Sequence, residues 1–197
     1  TFAVLLVGAG VGWVFPQFFF VGFIGGLVLG LVNAFKREPS PALIIGYAAL
    51  MGVGLGGISF VFEAQWQGIV QQAVLGTLAV FAVTLLAYRS GRIRVTPKFR
   101  RMVIIGMMGY LAFSLVNVLV MVFGSGDNAF GLRSGWLGIA AGFIGVALAA
   151  FSLVLDFDFI DKGVTNGIPQ KYAWTAAFGL VVTLVWLYLE LLRLIAL

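Results

Sequence analysis

The fold class this sequence predicts is an all-α integral membrane protein with seven transmembrane helices, and three observations predict it. Of the 197 residues, 62% are hydrophobic and 10% charged, with a mean hydropathy of +1.12, more apolar than a soluble domain with a wet surface sustains. The apolar residues run in stretches suited to a hydrocarbon core of about 30 Å, which about 20 helical residues cross. Pro, Gly or charge bounds each stretch, and the connections leave little chain for anything soluble, so residues 1–197 read as a single transmembrane domain.

In order, the spans are residues 1–15, 18–35, 42–63, 69–88, 102–123, 136–157 and 173–196. The first is short for a crossing and begins with Thr1 rather than Met, so a cytoplasmic segment is expected ahead of it. The second carries Gly22, Gly26 and Gly30 one turn apart and stops at Lys36 and Arg37. The third has Gly52 and Gly56 on one face and ends in Glu63; the fourth stops at Arg89. The fifth follows Arg100 and Arg101 and contains Asn117; the sixth has Gly138 and Gly142 and runs into "FSLVLDFDFIDKG". The seventh is closed by Glu190 and Arg193. Small residues one turn apart let backbones approach closely where lipid supplies no hydrophobic drive, so the glycine faces read as helix-packing seams.

The loops set the expected orientation. Lys36, Arg37, Arg89, Arg92, Arg94, Lys98, Arg100, Arg101, Lys162 and Lys171 fall on one side of the seven spans, and Arg133 and Arg193 on the other. Basic loops stay in the cytoplasm, so the N-terminus is expected inside, the C-terminus outside, and the protein in a plasma membrane. The run "YRSGRIRVTPKFRR" attracts anionic lipid headgroups, which accounts for the +5 charge without invoking nucleic acid.

Several chemistries are set aside. With no cysteine and no histidine, thiol nucleophiles, catalytic dyads and nearly all zinc or iron sites are excluded. No lysine lies in residues 173–197 to carry retinal, and no glycine loop opens a helix ahead of a lysine to hold phosphate. No enzymatic activity and no cofactor are expected.

The remaining candidates are acids and amides. At 100° per residue, Asp158 and Asp161 share a face while Asp156 points 200° away from Asp158. Asp161, followed by Lys162 and Gly163, reads as a solvated helix end; Asp158 is deeper and needs a partner or a proton. Two readings stand for it: a carboxyl poised to report cytosolic pH, or an interfacial acid paired with Lys36, Arg37 or Lys162. Glu190 lies about 26 Å along the last span from Ala173, near the outer interface, where Arg193 can neutralise it. A second reading joins Glu190, Glu63 and Arg193 into an outer cation mouth. Asn117 is expected to bond across helices, and Asn33, Thr84, Ser152 and Thr183 to satisfy local backbone or a neighbouring helix.

The stretches "YAALMGVGLGGISFVFE", "QAVLGTLAVFAVTLLAYRSGRIRVTPKF", "LAAFSLVLDFDFIDKG" and "KYAWTAAFGLVVTLVWLYLELLRL" resemble the Bax inhibitor-1-like, or transmembrane Bax inhibitor motif, family. The likeness is closest to its bacterial Bax inhibitor-1/YccA-like branch, actinobacterial members in particular. The resemblance implies six helices around a central seventh and a proton-sensitive calcium leak controlled by two carboxylates near the cytoplasmic face. It puts the first acid at Asp158 and a pairing base at Lys36 or Arg37. For the second, "LYLE" points to Glu190, whereas the terminal "LLR" points to Thr183; depth favours Thr183, which leaves the latch incomplete unless Asp156 supplies the acid. Two functions follow: a pH-sensitive calcium or cation leak, or a non-conducting regulator of a membrane-bound FtsH-type protease, the association implied by a bacterial relative.

Overall fold

A computed structural model describes residues 1–36, 38–123, 132 and 135–197. Among them are seven α-helices: α1 (Phe2–Val14), α2 (Phe19–Phe35), α3 (Pro41–Gln65), α4 (Ile69–Arg89), α5 (Pro97–Phe123), α6 (Gly135–Thr165) and α7 (Ala173–Ile195). Short 3-10 turns at Pro16–Phe18 and Gln170–Tyr172 lead into α2 and α7. Six stretches are long and apolar enough to cross a membrane: Pro16–Phe35, Pro41–Gln65, Ile69–Arg89, Pro97–Met121, Gly135–Thr165 and Gln170–Ile195. Phe2–Val14 is apolar but, at 13 residues, shorter.

The punctuation acts as the sequence suggests. Phe15, at φ −122° and ψ 68° ahead of Pro16, is out of the helical region and ends α1. Pro41 and Pro97 open α3 and α5, and the Thr96 hydroxyl oxygen accepts the Phe99 N–H at 3.1 Å as the cap of α5. At the end of α6, Gly167 takes a φ of +61°, and the Gly167 and Ile168 amides donate to the Val164 and Gly163 carbonyls in a Schellman motif.

The chain divides into two units, Thr1–Val70 with Phe159–Val185, and Gln71–Asp158 with Trp186–Leu197. In the first, α3 packs against both α1 and α2. A Cβ on Gly8 would come within 2.5 Å of the Ala49 carbonyl oxygen, and one on Gly57 within 2.6 Å of the Phe19 Cβ. Gly12, Gly22, Gly52 and Gly56 likewise have backbone atoms of the facing helix where a side chain would stand. Close backbone approach is therefore what the glycine spacing encodes here. The Phe178 ring meets Tyr47 edge-on at 5.0 Å and lies beside Gly30, joining α7 to α2 and α3.

In the second unit α5 and α6 run antiparallel: Arg100 meets Asp158, Met107 meets Ser152, and Tyr110 lies over Gly145. The end of α7 runs antiparallel to α6, with Glu190 over Gly145 and Leu194 over Gly142. Leu191 touches Gly76 of α4, and Phe157 of α6 stacks between Phe81 and Tyr88 of α4 at 5.5 and 6.0 Å. Large apolar side chains such as Val7, Phe20, Leu86, Met108 and Phe143 are exposed along the spans, as lipid-facing residues are.

Candidate functional site

The end of α6 places its three aspartates in three environments. Asp161 is exposed, Asp156 half-buried, and Asp158 buried with its side chain only 8% accessible. The Phe157 stack against α4 fixes the rotation of α6 at this level, and rotation decides which carboxylate turns inward.

A cation meets Asp158 there. Arg100 sits one turn into α5, and the antiparallel course of α5 delivers it to the end of α6, where its Nη2 donates to Asp158 Oδ2 at 3.3 Å. Phe99 stacks on Phe151 at 5.6 Å beside it and seats the first turn of α5. Arg100 is 51% accessible, so the pair is asymmetric: a desolvated acid held by a base that remains half in solvent. Lys36 is the exposed cap at the end of α2 in the first unit, and Arg37 lies outside the described residues. Arg100 is separated from Asp158 by 58 positions, and only helix register reveals it.

Glu190 meets Arg193 as the i,i+3 spacing suggested, and it is buried as well. It is 4% accessible, and a Cβ on Gly145 would lie 2.9 Å from its Oε2 and 2.5 Å from the Tyr110 hydroxyl, so the absence of a side chain at 145 makes room for both. Its Oε1 accepts the Trp186 indole N–H at 3.3 Å and faces Arg193 Nη1 at 3.7 Å. Trp186 in turn stacks on Tyr110 at 5.7 Å. The indole one turn before the carboxylate is a helical i,i+4 donor, a spacing visible in the sequence. Thirteen residues of α6 separate Gly145 from Asp158, about 20 Å of helix, so Glu190 cannot be the second acid beside Asp158. Thr183, the other assignment, is buried in α7.

Glu63 has a structural task. Its Oε1 accepts the Gly68 amide at 2.6 Å and its Oε2 the Val70 amide at 3.1 Å, so the carboxylate caps the start of α4, where amides point outward and the helix dipole favours negative charge. Both carboxylate oxygens are thereby hydrogen-bonded. Asn117 is buried as expected, but it serves a loop rather than a neighbouring helix: its Oδ1 accepts the Leu132 amide at 2.7 Å. Ser152 bonds the Leu148 carbonyl of its own helix and the Met107 sulfur. Arg133 lies outside the described residues. Among the described residues no group of three acids is clustered to hold a metal ion.

These features define a multi-pass helical membrane protein with ionisable side chains buried against its helices. The chain belongs to the Bax inhibitor 1 like family, whose model matches residues 1–197. No curated protein matches it.

Proposed function

We propose that the protein is a pH-sensitive leak for calcium or similar cations, with Asp158 as its gate. The observation that carries this reading is the Arg100–Asp158 pair, a buried carboxylate near the end of a membrane-spanning helix held by a half-exposed guanidinium. Ionisable groups at membrane depth are costly and are kept where they act. With ten cations on one side of the spans, that end of α6 faces the cytoplasm.

A proton from the cytosol converts the Asp158 carboxylate to a neutral acid. The attraction to Arg100 is lost, and the guanidinium, already half in solvent, withdraws at little cost. The end of α6 and the first turn of α5 are then free to separate, which opens the path.

The test is calcium entry into liposomes loaded with a calcium-sensitive dye, at one mildly acidic and one mildly alkaline pH. Faster entry at the acidic pH, well above protein-free liposomes, supports the leak. Entry no faster than in protein-free liposomes at either pH discards it and leaves regulation of a membrane-bound FtsH-type protease as the reading to pursue.

A further inference from the structure

The loop from α4 to α5 and the helix ends that flank it contain Arg89, Arg92, Arg94, Lys98, Arg100 and Arg101 with no acid among residues 89–101, and all six cations are exposed. It lies between two spans, Ile69–Arg89 and Pro97–Met121, so these cations stand at the depth of lipid headgroups. One of them, Arg100, is also the base on Asp158. A guanidinium has five N–H donors in a planar fork that suits phosphate as well as carboxylate, and the half of Arg100 away from Asp158 is open.

We propose that this loop binds the headgroup of an anionic phospholipid from the surrounding membrane, and that the headgroup phosphate competes with Asp158 for Arg100. Arg92, Arg94 and Lys98 recruit the lipid; Arg100 is the shared group. Other charged or titratable groups also stand near Asp158, Lys162 one turn on in α6 among them. Tyr88 of α4 stacks on the adjacent Phe157, Asp156 points to another face of α6, and exposed Asp161 follows three residues on. The binding stands apart from the leak; only its meaning as regulation, in which anionic lipid loosens the gate, rests on the function proposed above.

Linkage makes the competition testable without any flux. If the headgroup takes Arg100 from Asp158, then removing the Asp158 carboxylate must strengthen lipid binding. The measurement is phosphatidylglycerol bound per protein, against phosphatidylcholine, by native mass spectrometry of the full chain. Phosphatidylglycerol is expected to be preferred, and Arg92→Gln/Arg94→Gln/Lys98→Gln, which alters only exposed side chains, to lose about fivefold in affinity per cation removed. Asp158→Asn should raise the affinity severalfold in the native background and leave it unchanged beside Arg100→Gln. Asp161→Asn, which removes the same charge nearby, should have less than half that effect. Equal binding of the two lipids overturns the proposal, as does an Asp161→Asn effect matching that of Asp158→Asn, which reduces the loop to diffuse electrostatics. Displacement of phosphatidylglycerol by inorganic phosphate at equal concentration also overturns it, in favour of a soluble anion.

Discussion

The Arg100–Asp158 pair predicts that its two halves are unequal under mutation. At 3.3 Å and an effective dielectric constant of about 20, the Coulomb attraction is about 5 kcal/mol, offset by several kcal/mol of desolvation that falls almost wholly on the aspartate. Arg100→Gln leaves that desolvated carboxylate without its cation and is expected to destabilise the chain by about 3 kcal/mol. Asp158→Asn leaves a guanidinium that is 51% accessible and can turn to water, and is expected to cost at most about 1 kcal/mol. The double variant Arg100→Gln/Asp158→Asn should recover most of the loss, because no buried charge remains. The sign with pH follows: the Arg100→Gln penalty is a penalty on the ionised acid, so it shrinks as pH falls and the acid protonates. Unfolding of the purified chain in detergent, followed by tryptophan fluorescence for all four proteins at two pH values, measures this. Equal losses for the two single variants, or no recovery in the double, would refute the asymmetry.

Other contacts give further expectations. Gly145→Val drives a branched side chain into the space shared by the Tyr110 hydroxyl and the Glu190 carboxylate and should destabilise by about 3 kcal/mol, read in the same unfolding assay, with an altered Trp186 emission in any folded fraction. Glu63→Ala removes the acceptor of two amides at the start of α4 and should cost about 1 to 2 kcal/mol, with faster hydrogen exchange at Gly68 and Val70. Asn117→Ala should cost a similar amount and speed exchange at the Leu132 amide specifically.

What the sequence discloses and what it hides follow from the range of the interactions. Span positions were legible because helix ends are local: Pro41 opens α3 beside the expected start at 42, whereas α5 opens at Pro97 and α6 runs to Thr165, both helices extending past the apolar limits at 102 and 157. The inward turn of Asp158 against exposed Asp161 was legible in part, since burial resolves two acids that share a broad face only by depth. The glycine spacing foretold close helix approach because nothing else explains small residues one turn apart in lipid. The partner of Asp158 was hidden: ten cations on one side of the membrane are equivalent until the antiparallel register of α5 on α6 singles out Arg100. The Glu190–Arg193 pair was legible from its i,i+3 spacing, whereas the burial of Glu190 was not, because it depends on Gly145 of another helix. The capping role of Glu63 was hidden because a cap is recognised by where two amides point, and residue type does not reveal that.

The central claim, that the charge on Asp158 closes the leak, is tested most directly by calcium entry into liposomes holding Asp158→Asn beside the native chain, each at an acidic and an alkaline pH. Asparagine mimics the protonated acid, so the account predicts entry at both pH values as fast as the native chain shows in acid. Entry through Asp158→Asn that still rises in acid as it does in the native chain would contradict the account and place the titrating group elsewhere.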